Sequence, residues 1–144
     1  MTTTIDANLL IFKFLTAGTT LMTTVSNRLY GAPNIPPGIT APCKFLLFFG
    51  DGGPSHPDVQ MSTQRWNFHA YGEDQVEAQA VYRDLHDRLQ RAWNQRVTLA
   101  AGSVAVLRTA NRALGPLDLP EPITNWPRVI AAYEVTFCET AFTA

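Results

Sequence analysis

The sequence is short of charge, and of lysine in particular. It holds two lysines against nine arginines, and charged side chains make up 16% of its 144 residues, where about a quarter is usual for a soluble domain. With a net charge of −1 and no basic run, it lacks the electrostatic footprint of a nucleic-acid binder. Its two cysteines, Cys43 and Cys138, stand apart without a CxxC or any metal-type spacing. They read as buried free thiols in a reducing compartment, with neither a disulfide framework nor a cysteine metal centre. Long apolar runs are missing too: Leu9 to Leu15 is short and interrupted by Lys13, and Met1 to Ile5 carries no basic leader. The expectation is a chain folded in cytoplasm with no signal peptide and no membrane span.

Catalytic signatures are equally scarce. Gly50-Asp51-Gly52-Gly53 lacks a GK[ST] ending and no helix follows it directly, so it does not make a phosphate cradle. No serine or cysteine sits in a nucleophile-elbow pattern. His56 and Asp58, with Asp51, can be drawn as a metal or general-base cluster, but they lie in a Gly- and Pro-rich loop. Metal ligation wants three or four ligands at defined spacing on stiff elements, so a solvated loop is the better reading. His69 alternates with Asn67 and Tyr71 and reads as a surface or interface histidine, while His86 lies among helix charges. No catalytic residue, cofactor or metal ligand is therefore assigned.

What is present is organised around Thr63 to Trp93. Gln64, Trp66, Phe68 and Ala70 fall on one face of an extended chain, and Arg65, Asn67, His69 and Tyr71 on the other. After Gly72 the period changes, with Ala78, Val81, Leu85, Leu89 and Ala92 at helical spacing. Glu73, Asp74 and Glu77 at the start of this helix and Arg88 and Arg91 at its end suit its dipole. Asp84 with Arg88, and Asp87 with Arg91, are spaced for ion pairing.

Elsewhere, Asp6 is spaced to cap a first apolar helix ending near Gly18, and a short helical turn follows around Leu21 to Val25. Gly31 to Pro42, with four prolines and two glycines, is a stiff connector. Cys43 to Phe49 is a strand apolar on both faces, one carrying Phe45 and Leu47, the other Leu46 and Phe48. Gly50 to Gln60 is long for a hairpin. Val97 to Leu99 and Val104 to Thr109 read as extended, Ala110 to Trp126 as an irregular arm bearing Leu114, Leu117, Leu119, Ile123 and Trp126, and Arg128 to Cys138 as a closing strand.

The predicted architecture is α+β: a single domain over 1–144 with a single mainly antiparallel sheet and two helices packed on one face. Two helices cannot cover both faces. The other face, with either the Phe45 or the Leu46 set plus Ile130 and Ala132, is too apolar to be wet, and an identical subunit is the simplest cover. The alternative is that the connector and the arm fold over it within one chain. Candidate interface residues are Leu46, Phe48 and Ile130 on the sheet, Asp51, His56 and Asp58 in the loop, and Leu114, Leu117, Leu119 and Trp126 on the arm.

The run Arg28-Leu29-Tyr30-Gly31, the link Ile35-Pro36-Pro37-Gly38, an apolar strand, then Arg65-Trp66-Asn67-Phe68-His69-Ala70-Tyr71-Gly72 leading into a long charged helix, and the late Tyr133-Glu134-Val135-Thr136-Phe137 resemble the tail terminator, or tail completion, proteins of long-tailed bacteriophages. The resemblance spans about Leu9 to Phe137. It implies a virion protein of the tail or neck, assembled in a bacterial host's cytoplasm. Such a subunit joins a hexameric ring that caps the head-proximal end of the tail tube and docks onto the head-side connector or stopper protein, while DNA only passes through the lumen. No enzyme activity, cofactor or membrane is implied. Another head-to-tail connector component, stopper or neck, is the nearest alternative, and a small ligand-binding or hydrolytic domain using His56, Asp58 and His69 is a more distant one.

Overall fold

The computed structural model describes residues 3–53, 58, 60–100, 103–138 and 140–143. Its elements run β1 (Thr3–Thr4), α1 (Ala7–Thr16), α2 (Thr19–Val25), β2 (Leu29–Tyr30), β3 (Phe45–Gly52), β4 (Met61–Tyr71), α3 (Gln75–Leu89), β5 (Gln95–Ala100), β6 (Ser103–Asp118), β7 (Arg128–Cys138) and β8 (Thr140–Thr143). The central strand and helix and the closing strand stand where the residue periods place them. Six strands lie in the order β5-β6-β7-β4-β3-β2, β8 adds to the start of β6, and β1 pairs with β8. Every pairing is antiparallel except β2 with β3, so the sheet is mixed, and it curls as a half-barrel.

Three helices, not two, fill the hollow of this curl. Asp6 accepts from Asn8 N at 3.0 Å and Leu9 N at 3.3 Å, satisfying first-turn donors of α1. Asp74 does the same for Glu77 N at 2.8 Å, and the Glu77 carboxylate accepts Glu73 N at 2.8 Å. Gly72 makes the strand-to-helix corner possible, since a Cβ there would stand 2.5 Å from Ala78 N. The charges on α3 reach outward to neighbouring helices. Asp84 accepts the Thr24 hydroxyl of α2, and Arg88 donates to the Phe14 carbonyl at 3.0 and 2.8 Å while stacking 4.0 Å above the Phe14 ring. One guanidinium thus ties α3 to the end of α1. Helices α1 and α2 meet at 88°, and among the described residues no single helix is long and apolar enough to cross a membrane.

The main core joins Leu10, Phe14, Leu21, Val25, Val81 and Leu85 of the helices to Trp66, Phe68, Ala131, Tyr133, Val135 and Leu107 of the sheet. Leu46 and Phe48 belong to it, buried at 0% and 1% exposure. Their expected role against an adjacent subunit is therefore corrected: β3 turns its Leu46 face to the helices of its own chain. A second cluster forms on the opposite face, where Phe45, Leu47 and Tyr71 are covered by Tyr30, Ile35, Ile39 and Cys43 of the connector and by Trp126. The alternative of cover within one chain holds for this corner.

The expected irregular arm is also corrected. Ala110 to Asp118 continues β6 beside β7, with the register shifting between Leu107 and Thr109, Arg112 and Leu114, and Leu114 and Leu117. Pro116, which has no N–H to donate, falls inside the last shift, where the ladder is already interrupted. Gly115 has φ 95°, and a Cβ there would lie 2.5 Å from the Ile130 carbonyl oxygen. Only glycine fits that approach. The far end of β6 reaches the start of α3, where Gln75 donates to Asp118 at 2.8 Å and Gln79 also donates to it.

Candidate assembly surface

Residues on the convex face of the sheet, away from the helices, line up by register. Phe49 of β3, Asn67 of β4, Ala132 of β7 and Leu114 of β6 form one row, and Leu47, His69, Ile130 and Leu117 form the next. Phe45, Tyr71 and Arg128 make a third. The third row is closed: the Phe45 and Tyr71 rings stack at 4.3 Å, and Trp126 meets Phe45 edge-on at 6.4 Å. Burial pushes the Tyr71 hydroxyl pKa up, against a hydrogen bond with Arg128 that pulls it down.

The first two rows open toward β6. Leu114 and Leu117 are each 40% exposed, and Ile130 beside Leu117 is half-buried. Cross-strand pairing of Leu117 with Ile130, and of Leu114 with Ala132, makes one continuous apolar strip. Leu119 extends it past the strand end, where Leu119 N donates to the Arg128 carbonyl at 3.1 Å.

The connection from β6 to β7 is a built turn. The Glu121 carboxylate accepts Ile123 N at 3.0 Å, Thr124 N at 2.5 Å and the Thr124 hydroxyl at 2.6 Å. Hydrogen bonds first from the Thr124 side chain and then from its backbone hold the Glu121 pKa below its ordinary value. Asn125 N returns to the Glu121 carbonyl at 2.8 Å, and Glu121 N to the Trp126 carbonyl at 3.0 Å. At the tip stands Ile123, 91% exposed.

The candidate residues therefore separate. Leu114, Leu117, Leu119 and Ile130 come together on one strip, whereas Trp126 turns inward onto Phe45 and Leu46 and Phe48 lie in the core. Asp51 sits on the convex face at the far strand, accepting Asn67 Nδ2 at 2.6 Å. Asp58 is exposed, and His56 lies outside the described residues. Ile123, an apolar residue of the arm, stands outside the set of candidate interface residues. Its signal in the sequence is its setting, a large apolar side chain directly after Pro120-Glu121-Pro122.

Among the described residues, two histidines have defined surroundings. His69 Nδ1 is buried without a hydrogen-bond partner, Phe49 meets the ring edge-on at 5.1 Å, and burial, with the nearby Arg128 charge, lowers the His69 pKa to about 4. The ring is neutral at pH 7. His86 is engaged at both nitrogens, Nδ1 lying 2.5 Å from the Tyr133 hydroxyl and Nε2 2.8 Å from Gln90 Nε2. The Tyr133 hydroxyl is itself pushed far up, by burial first and then by Tyr82. Among the described residues no group of three or more His, Cys, Asp or Glu side chains is placed to hold a metal ion.

No sequence-family model matches the chain, and no curated protein sequence does. The fold is shared with solved structures. One is a chain from the virion of a native gene transfer agent particle, superposing with a TM-score of 0.64 at 15% identity over 90% of this chain and 92% of that one. The α+β fold, a mixed sheet curled around helices, is the class the chain belongs to, and likeness at this identity speaks to that fold.

Proposed function

We propose that the protein is a structural subunit of a virion, specifically of the tail terminator ring that caps the head-proximal end of a tail tube and joins it to the head-side connector. The observation that carries this reading is the fold shared with a gene transfer agent virion chain over nearly the full length of both. The terminator-like order of motifs from Arg28-Leu29-Tyr30-Gly31 to Tyr133-Glu134-Val135-Thr136-Phe137 narrows it. An open apolar strip of Leu114, Leu117, Leu119 and Ile130 supports a life in contact with other protein. Subunits of the ring meet through that strip and the turn beyond it, and the partners are a second copy, the tube protein and a connector or stopper protein.

Electron microscopy of the purified protein, alone and mixed with tail tubes, tests this. Six-fold rings, or density capping one tube end, are expected. A strictly monomeric protein at high concentration that also leaves tube ends and connectors bare would refute it. Capping of the connector but never of the tube would instead favour a stopper or neck role.

A further inference from the structure

The sheet ends in two strand edges that match each other. On one side, β5 accompanies β6 only as far as Arg108, whose carbonyl accepts Asn94 N at 3.0 Å. Beyond it, among the described residues, β6 is laddered to β7 alone, and Asn111, Arg112, Ala113 and Leu114 stand exposed at the rim. On the other side, β2 reaches only Leu46 and Leu47 of β3, so residues 49–52 are laddered to β4 alone, with Gly50, Asp51 and Gly52 exposed. Strand edges are commonly guarded by outward charge or proline. Here Pro116 guards only the far end of β6, Arg112 is turned to the Tyr82 hydroxyl at 2.9 Å, and Asp51 lies back over β4 to accept Asn67.

The two open edges are opposite ends of the same register rows. Phe49, Asn67, Ala132 and Leu114 form one row, Gly50, Trp66, Tyr133 and Arg112 the next, and Gly52, Arg65, Glu134 and Asn111 the third. Three antiparallel steps separate β3 from β6, so the two run in opposite directions. We infer that residues 111–114 of one copy pair antiparallel with residues 49–52 of the next, continuing one sheet across subunits. Outward N–H and C=O groups of an edge call for another strand, and the edge that lies at the same height with the required direction is the chain's own. On the convex face this pairing sets Leu114 beside Phe49 or, one two-residue step along, beside Asp51. Alternate residues bond to the same side of a strand, so about two amides on each edge are engaged. The contact joins two different patches and is head-to-tail, and the curl of the sheet turns every step the same way, toward a closed ring.

The inference rests on the ring reading above and deepens it, and the test separates the two. Leu114→Cys, Phe49→Cys and Asp51→Cys are made singly in the full chain, with the parent chain carrying Cys43 and Cys138 as background. Under mild oxidation, Leu114→Cys mixed with Phe49→Cys or with Asp51→Cys should give crosslinked dimers that no single variant gives, and the matching double variant a ladder of higher species. Leu114→Glu, which brings like charge toward Asp51, should weaken self-association at least about tenfold. Adding Asp51→Lys to it should recover much of that loss, which lost apolar cover alone would not allow. Crosslinking of Leu114→Cys only to itself, as when two convex faces meet, or only to tube or connector protein, would overturn the inference. So would wild-type rings without any 114-to-49 or 114-to-51 crosslink, which leaves the ring reading standing. If the wild-type chain never self-associates, even on tube ends, both fall together.

Discussion

Leu46 and Leu117 make a sharp contrast, because both are apolar strand residues and only burial tells their work apart. Leu46 is fully enclosed between α-helices and sheet, so Leu46→Ala should leave a cavity and cost about 2–5 kcal/mol. Unfolding entropy of about 2.1 cal/mol/K per residue gives roughly 0.3 kcal/mol/K for this chain, hence a Tm lower by about 7–17 °C. Leu117 is 40% exposed, and its truncation removes only part of the about 1.5–3 kcal/mol a fully buried leucine contributes. Leu117→Ala should therefore shift Tm by only about 3 °C.

Assembly should respond in the opposite sense. Sedimentation velocity at a temperature where both variants stay folded should find Leu46→Ala associating as the parent does and Leu117→Ala associating more weakly. Circular dichroism melts supply the stability arm. A Leu46→Ala protein with parental Tm but lost association would refute the reasoning, since it would put Leu46 between subunits after all.

Three further outcomes follow from named contacts. Gly72→Ala places a Cβ 2.5 Å from Ala78 N and 2.8 Å from the Glu77 carbonyl carbon; a loss above about 2 kcal/mol is expected in urea unfolding, and a change within experimental error would mean the β4–α3 corner can move. Arg88→Ala removes two hydrogen bonds to Phe14 O and the stacking on its ring, and should cost about 1–3 kcal/mol, with Arg88→Lys recovering only part because an ammonium cannot reproduce the planar fork. His69 has its folded pKa lowered to about 4 from the model-compound 6.5, so the unfolded chain binds the proton first. Stability should be fully present above pH 6.5 and be lost as pH falls through 4, at less than about 1.4 kcal/mol per pH unit given partial exposure of the ring. His69→Gln should flatten that part of the urea midpoint profile, and an identical profile in the variant would remove His69 as the cause.

Much of this fold is legible in the residues because one period dominates each segment. Trp66, Phe68 and Ala70 alternate cleanly, Val81, Leu85 and Leu89 repeat at helical spacing, and Arg128 to Cys138 carries its dry face at every second position, which is where β4, α3 and β7 lie. Strand β3 shows the limit of such reasoning. Both of its faces are apolar, so parity identifies two sets without saying which meets the helices, and tertiary packing chooses Leu46 and Phe48. In β6, Gly115 and Pro116 read as breakers, yet three register shifts absorb them and the strand runs on to Asp118. Of the candidate surface, Leu114, Leu117, Leu119 and Ile130 are recognisable in the sequence as apolar residues needing cover, but their convergence depends on the pairing of β6 with β7, which the breakers conceal.

The same pairing changes how assembly must work. An irregular arm would have to order on contact, so that the entropy of fixing its backbone, about 1–2 kcal/mol per residue, would oppose docking. Here Ala110 to Asp118 is already laddered to β7, and the turn at Ile123 is already closed by Glu121. Connector and Trp126 likewise cover the Phe45 corner before any partner arrives. These segments should therefore be folded in the monomer, and association through them should proceed as rigid bodies meeting. Amide hydrogen exchange can check this: protection along 110–118 should be present in the dilute monomer and rise little on assembly. Exchange there at the unprotected rate until partners are added would show the arm to be a folding-on-binding segment.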